Sequence, residues 1–152
     1  MKSLSLLILA VALLCLSTPV FAANSGQVDV PFIVQLVNPC NGELVDTNGF
    51  VHIDITFTFS GQTAHLTIHA NPQGVTGIGE TTGVTYHGTG VSALSQQVSL
   101  VNGSANANFV SRFDFVGQGS VPNFFNAEVM HITANANGTV TASFDVLDTS
   151  CH

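Results

Sequence analysis

The chain has 152 residues, of which 45% are hydrophobic and only 7% charged, and its formal net charge is -7. High hydrophobicity with so few charges excludes intrinsic disorder, and the acidic balance excludes electrostatic binding to nucleic acid. The length suits one domain and makes a second unexpected.

The first 22 residues are predicted to be a secretory signal peptide. Lys2 provides the positive charge, residues 4–16 form an apolar run, and residues 20–22 have the small residues that signal peptidase reads. Residues 17–19, Ser-Thr-Pro, end the run before it reaches the roughly 20 apolar residues of a transmembrane helix. Cleavage after residue 22 would give a secreted domain without a membrane anchor. That domain would be extracellular, or periplasmic if the source has an outer membrane.

Two cysteines, Cys40 and Cys151, lie in the expected secreted domain, residues 23–152. An oxidising compartment favours one disulfide between them, because a redox-active or metal-binding pair would need CxxC spacing. This bridge would close nearly the whole domain and hold its C-terminus. The same residues carry nine acidic residues and a single base, Arg112.

The first half of the domain contains two segments that alternate strictly between apolar and polar residues. Residues 51–59 are apolar at odd positions and residues 64–70 at even positions, which is the period of half-buried β-strands. A two-residue turn at Gly61-Gln62 brings both apolar faces to one side. The register that follows pairs Phe57 with Leu66.

The second half of the domain predicts two more hairpins. Asn102-Gly103 is a strong turn signal and predicts a hairpin between strands near 94–101 and 104–116. A three-residue loop at 136–138, with its glycine in the left-handed region, brings the apolar residues of the last two strands to one face.

Further strands are expected at 28–37 and 83–90, which makes about eight, and no capped segment has a helical period. Short sequential connections favour an antiparallel meander closed into a barrel, because closure removes exposed strand edges. A two-sheet β-sandwich is the alternative. The sequence therefore predicts an all-β domain.

Four stretches of this domain are distinctive as a set: Asn38-Pro39-Cys40-Asn41-Gly42-Glu43, residues 73–79 with Thr82-Gly83, Gly117-Gln118-Gly119 with Pro122-Asn123-Phe124, and residues 135–141. In this order, between a signal peptide and a C-terminal cysteine, they resemble a group of small secreted bacterial proteins common in actinobacteria and other soil bacteria. The resemblance covers nearly the whole domain. It implies a secreted all-β fold with the disulfide, and it implies no activity and no catalytic residues.

One polar cluster on the first hairpin has metal-ligand chemistry. The predicted register places His52, Asp54 and His69 on one face, within reach of a zinc ion. His65 lies about 13 Å from His69 along the strand and cannot share that ion. A solvated polar face, with Asp54 paired to His69, is favoured over a metal site, and no cofactor is expected.

The sequence contains no recognisable catalytic motif. Gly-x-Ser-x-Gly is absent, and a disulfide leaves no thiol for nucleophilic catalysis. Asp114 and Glu128 could form a carboxylate pair on neighbouring strands, but the sequence does not define the register between them, and two solvent-facing acids are favoured. An enzyme would have to use Tyr86, His131 or Glu80 as acid–base groups in a barrel cavity, which is the weakest of the functional hypotheses.

Four residues are candidates for ligand binding: Tyr86, the single tyrosine; Arg112, the single base of the domain; Phe124, beside Phe125; and His131. Adjacent strand residues point to opposite faces, so one ring of the phenylalanine pair is expected at a barrel mouth or interface. For Arg112 an ion pair with an acid is favoured over an anionic ligand.

The functional hypothesis from the sequence is a binding module for a small apolar molecule, because eight-stranded barrels can hold one such ligand. The first alternative is an extracellular structural or interaction protein without a pocket, whose partner would be another extracellular protein. The second alternative is the small-molecule enzyme described above.

Overall fold

A computed structural model describes residues 24–152, and the predicted signal peptide lies outside the described residues. These residues form nine antiparallel strands: β1 (Asn24–Pro31), β2 (Gln35–Asn38), β3 (Glu43–Ser60), β4 (Thr63–Gly79), β5 (Thr85–Thr89), β6 (Ser92–Ser99), β7 (Ser104–Gly117), β8 (Phe124–Asn135) and β9 (Val140–Cys151). Within residues 24–152, no helix is long and apolar enough to cross a bilayer.

The strands form one antiparallel sheet in the order β1-β3-β4-β5-β7-β8-β9, with β2 paired to β3 and β6 paired to β4. The sheet curls into a half-barrel, and its inward side carries the apolar core. The all-β, antiparallel prediction is confirmed. The half-barrel is consistent with both architectures considered from the sequence, a barrel and a two-sheet sandwich.

Two of the predicted hairpin registers are confirmed residue by residue. β3 and β4 pair Phe57 with Leu66, and β8 and β9 pair Met130 with Phe144 around the loop at 136–138. Gly138 lies in the left-handed region with φ 90°. In both hairpins the apolar period and the turn length require the same register, so the local sequence is sufficient to predict it.

The hairpin predicted between β6 and β7 is wrong beyond its turn. Asn102 and Gly103 adopt the expected positive φ values, but a single bridge, between Val101 and Ser104, follows the turn. β6 pairs instead with the first part of β4, where Leu94 faces Ile68. β5 is only five residues long and covers three residues of β4, so the remaining edge of β4 is available to β6.

The strand predicted at 28–37 is two strands, which raises the number from about eight to nine. β1 and β2 are separated by residues 32–34, and Phe32 enters the core between them. Both strands pair with β3. Periodicity missed the break because the alternation of burial continues across it.

The two ends of the sheet meet without a shared ladder. β1 and β9 come so close that Val140 leaves no room for a side chain at Gly26. Two further contacts join β9 to the first strands of the chain. The ring of Phe32 stacks on that of Phe144, with 5.1 Å between the centroids, and the Thr149 hydroxyl donates to the Val37 carbonyl at 2.8 Å.

The predicted disulfide between Cys40 and Cys151 is present, with 5.3 Å between the Cα atoms. It links the turn after β2 to the last residue of β9. Because these strands share no backbone ladder, the disulfide is the covalent closure of the half-barrel.

Replacing both cysteines by serine is expected to lower the free energy of unfolding. The bridge joins residues 111 positions apart, and a loop of this order is worth about 4–5 kcal/mol in the loop-entropy model. Urea unfolding of wild type and the double variant measures the difference. A loss below about 1 kcal/mol would show that non-covalent contacts close the sheet without help.

Candidate functional site

A hydrogen-bonded carboxylate lies at the closed end of the half-barrel. Glu43, at the start of β3, accepts bonds at Oε1 from the Thr82 amide at 2.7 Å, the Thr82 hydroxyl at 2.8 Å and the Thr81 amide at 3.2 Å. The Tyr86 hydroxyl donates to Oε2 at 3.2 Å. The Thr82 amide is the main reason that the pKa of Glu43 lies below its usual value.

Tyr86, a ligand-binding candidate from the sequence, belongs to the same network. It is fully buried, and Asn38 donates to its hydroxyl at 3.1 Å and to the Pro122 carbonyl at 3.0 Å. Burial raises the pKa of Tyr86. Since its hydroxyl already contacts Asn38 and Glu43, the side chain acts here as a link between β2, β3 and β5.

This network explains three of the four stretches that carry the family resemblance. Asn38 and Glu43 come from the first, Thr82 from the second, and Pro122 and Asn123 from the third, where Asn123 accepts from the Gly117 amide at 2.9 Å. The fourth stretch is the β8–β9 turn. Their hydrogen bonds give these stretches a structural role.

A second buried polar group lies on the inward face of β7 and β8 and was missed from the sequence. Ser111 and Glu128 are directly opposed in the ladder, and Asn126 lies two residues from Glu128 on the same face. All three residues have no exposed surface. Among the described residues, the Ser111 hydroxyl, both polar atoms of the Asn126 amide and both oxygens of Glu128 have no hydrogen-bond partner.

Burial dominates the chemistry of Glu128. Desolvation raises its pKa from 4.5 to about 8. Asp114, the possible carboxylate partner, pairs with Phe125 and therefore lies on the outward face of β7, whereas Glu128 faces inward. The register thus excludes a site with these two carboxylates side by side.

The period of β8 contained the signal for this group. Even-numbered residues of β8 are buried, and two polar residues, Asn126 and Glu128, occupy that phase between Phe124 and Met130. Polar residues in the apolar phase of a strand indicate either a hydrogen-bonded core group or a site.

The apolar inward face is incompletely covered along two seams where strands meet without a ladder. At the β1–β9 seam and the β6–β7 seam, inward-facing side chains stay partly exposed; they are Val28, Leu94, Val98, Leu100, Phe109, Val140, Ala142 and Phe144. The missing ladders therefore leave apolar surface within reach of solvent.

The metal candidates His52, Asp54 and His69 do not form a metal site. One ring nitrogen of His52 contacts Asp29 at 2.6 Å and the other lies 3.4 Å from Asp54. The hydrogen bond with Asp29 is the main cause of the raised pKa of His52. Asp54 also accepts from Gln27 at 2.6 Å. Within residues 24–152, no group of three or more potential metal-ligating side chains is arranged to hold an ion.

His131 lies on the outward face of β8, where its two ring nitrogens contact Asn108 at 2.9 Å and Asp145 at 3.1 Å. Glu80 lies in the turn after β4 and accepts from Gln35 at 2.9 Å. These residues and Tyr86 were the three possible acid–base groups of an enzyme. The structure separates them, with Tyr86 inside the half-barrel and the other two outside it.

Arg112 lines a groove of about 490 Å³ on the outer face of β7, β8 and β9. The groove also contains Phe125 and the exposed side chains of Val110 and Leu147. The expected ion pair of Arg112 with an acid is not formed within residues 24–152.

Of the two adjacent phenylalanines, Phe124 is buried against Phe115, and Phe125 is the ring near the surface, stacked on His152.

No family model, curated protein or solved structure matches this chain. The resemblance to the group of small secreted bacterial proteins therefore stays a prediction.

Removing the Glu43 network is expected to destabilise the fold in a pH-dependent way. Replacing Glu43 by glutamine should cost about 1–3 kcal/mol at neutral pH, because the bonds from Thr81 and Thr82 lose their charge assistance and the amide nitrogen that replaces Oε2 cannot accept from Tyr86. The pKa of Glu43 is lowered, so its contribution is present above the ordinary value of 4.5 and is lost as the pH falls through the folded-state pKa. Urea unfolding against pH measures this, with Glu80→Gln as the exposed control. An equal loss in both variants would contradict the assignment.

Glu128 is expected to give the opposite pH dependence. Its raised pKa means that its contribution to stability is fully present below pH 4.5 and is lost as the pH rises through about 8. Between about pH 5 and pH 9 the melting temperature of wild type should fall by roughly 5 °C or more, and Glu128→Gln should reduce that fall. His52, with its raised pKa, contributes in the same direction, so some slope remains. Identical slopes in both proteins would show that Glu128 does not titrate as the burial implies.

Proposed function

We propose that this protein is a binding module that takes a small, mainly apolar molecule into its half-barrel. The observation that carries the proposal is the partly exposed apolar surface along the two seams. Inward-facing residues such as Val28 and Phe144 at one seam and Leu94 and Phe109 at the other pack against the core cluster yet remain partly accessible. Small-molecule sites in proteins are concave, mainly apolar and contain a few placed polar groups.

The composition of the inward face supports this proposal. Near the β8–β9 turn, aliphatic side chains line β7, β8 and β9, where Ala107, Ile132 and Ala142 form one ladder row. Toward the disulfide end, aromatic rings line the interior, with Phe115 stacked on Phe124 at 5.1 Å. An apolar ligand would therefore meet methyl groups on one side and flat rings on the other.

Access to this interior does not require the breaking of a β-ladder. At the β1–β9 seam the side chain of Val140 packs against the backbone at Gly26, and at the β6–β7 seam the Ser92 hydroxyl accepts from the Arg112 amide; neither seam has a ladder of backbone hydrogen bonds. Side-chain contacts separate more readily than a row of backbone hydrogen bonds, so a seam is the natural point of entry.

Binding of a neutral apolar fluorophore, N-phenyl-1-naphthylamine, tests this function. Wild type should enhance its emission with saturable one-to-one stoichiometry. Ala142→Phe, which fills the inward row beside a seam, should weaken binding at least about tenfold because the ring occupies the ligand volume. Ser143→Phe is the matched control, since Ser143 is exposed on the same strand and the added ring is the same.

Arg112→Ala provides a second control, because it alters the outer groove and leaves the interior unchanged. A protein that serves only as a structural or interaction module would give no saturable binding, and this result would overturn the proposal. Equal losses in Ala142→Phe and Ser143→Phe, or a loss confined to Arg112→Ala, would also overturn it. Melting temperatures of all variants confirm that each is folded.

A further inference from the structure

Ser111, Asn126 and Glu128 form a compact set of unpartnered polar side chains in the middle of the inward face. Residues opposed across an antiparallel ladder have Cβ atoms about 4.5–5.5 Å apart, so Ser111 and Glu128 are neighbours. Their surroundings in the ladder are mainly apolar: Phe113 lies opposite Asn126 on β7, and Val146 lies opposite Glu128 on β9. The β9 neighbour of Asn126 is Thr149, whose hydroxyl already donates to the Val37 carbonyl. The set is therefore a polar island on an apolar surface.

An aromatic ring covers the same part of the interior. The ring of Phe32 stacks on Phe144, which lies in the ladder row next to that of Glu128. The centroid of the Phe32 ring is also 6.1 Å from that of Phe115, which lies in the row next to that of Asn126 on the opposite side. These two contacts bracket the rows of Asn126 and Glu128. The polar set thus lies between flat apolar rings.

Glu43 provides an internal comparison for Glu128. Both are buried glutamates on strands of the same sheet, and Glu43 receives four hydrogen bonds from the chain itself. Glu128 receives none from the described residues. Most buried polar groups in proteins are hydrogen-bonded, and an unpartnered group is costly. A fold that satisfies one buried carboxyl and leaves another open suggests that a ligand supplies the second set of partners.

We propose that Ser111, Asn126 and Glu128 bind the ammonium group of an apolar amine whose hydrocarbon part lies along the aromatic inward face. The proposal rests on the function proposed above and names the class of ligand. A primary ammonium group has three donors and no acceptor. The set offers one oxygen from each of three side chains, and one of the three carries the compensating negative charge.

The charge of the protein favours the same class of ligand. Residues 23–152 have nine acidic residues and one basic residue, so the surrounding potential attracts cations and repels anions. A carboxylate ligand would lie against the carboxylate of Glu128 and be repelled by it. An alcohol has one donor and can satisfy only part of the set.

A bulge in β9 lies next to the proposed site and leaves it close to the surface. The β8–β9 register shifts between Ala127 and Glu128, which makes Leu147 the extra residue of β9. Val146, opposite Glu128, is 39% exposed. Bulges frequently occur beside functional sites, where they redirect side chains and interrupt pairing. The ammonium group would reach Glu128 from this side of the β1–β9 seam.

The closing experiment is isothermal titration calorimetry of the refolded, disulfide-bonded domain with three ligands of equal chain length: octylamine, octanol and octanoate. At about pH 8 wild type should bind octylamine at least about tenfold more tightly than octanol, and octanoate more weakly than either. Because Glu128 has a raised pKa near 8, amine binding should release a proton below that pH. The measured heat should then depend on the ionisation enthalpy of the buffer, and that of octanol should not.

Glu128→Gln and Glu80→Gln form a matched pair of variants. Each removes one negative charge by the same change, but Glu80 is exposed in the turn after β4. Glu128→Gln should abolish the preference for amine over alcohol and retain octanol binding, and Glu80→Gln should leave both unchanged. Asn126→Ala should weaken amine binding without affecting octanol to the same degree.

The outcomes separate the two proposals. If octanol and octylamine bind wild type equally, or if Glu128→Gln keeps the preference for amine, the ammonium site is overturned and the apolar binding function stands. If neither the three ligands nor the apolar fluorophore binds wild type, both proposals are overturned. The wild-type comparison alone decides the matter if a variant fails to fold.

Discussion

The Cys40–Cys151 disulfide is the constraint on which the closed form of this sheet depends. Strands β2 and β9 meet at one end of the half-barrel, but they share no backbone ladder, and a single side-chain hydrogen bond from Thr149 to Val37 supplements the bridge. The turn that carries Cys40 also begins the Glu43 network, since the Asn38 side chain accepts from the Cys40 amide at 3.0 Å and donates to Tyr86. Covalent closure and the buried carboxylate network therefore stabilise the same end of the molecule.

Concentrating the constraints at one end has a consequence for the rest of the fold. The disulfide end is fixed by hydrogen bonds among β2, β3, β5 and the segment before β8. The seams have no backbone ladder; they are closed mainly by apolar side-chain contacts and, between β6 and β7, by the Ser92 hydroxyl, which accepts from the Arg112 amide at 3.0 Å. Regions with few backbone hydrogen bonds to a neighbour open at lower cost than the ladders. The domain thus combines a hydrogen-bonded, disulfide-linked end with two seams that lack ladders, and this combination suits the binding function proposed above.

Local patterns in the sequence were sufficient for those parts of the fold in which neighbours in sequence are neighbours in the sheet. The β3–β4 and β8–β9 registers follow from period-two alternation and turn length. The partner of β6 did not follow, because its choice of β4 depends on the short length of β5, which is a property of another part of the sheet. The disulfide was predictable because residues 23–152 contain only two cysteines.

The candidate site was likewise only partly predictable from the sequence. Arg112 and Tyr86 were predicted as ligand-binding candidates because each is the only residue of its type in residues 23–152. The rarity of a residue type, however, does not indicate which way its side chain faces. Tyr86 proved to be a core link, and Arg112 lies on the outer face. Glu128 is identified by its phase in β8, and its lack of partners becomes visible only when the opposing strands are in place. The contrast with Glu43 is decisive for the interpretation. Glu43 receives its hydrogen-bond donors from the turn after β4 and from Tyr86. Glu128 faces an apolar interior, beside a bulge and near the β1–β9 seam, which has no backbone ladder. In the proposal made above, a bound molecule supplies the donors that Glu128 lacks.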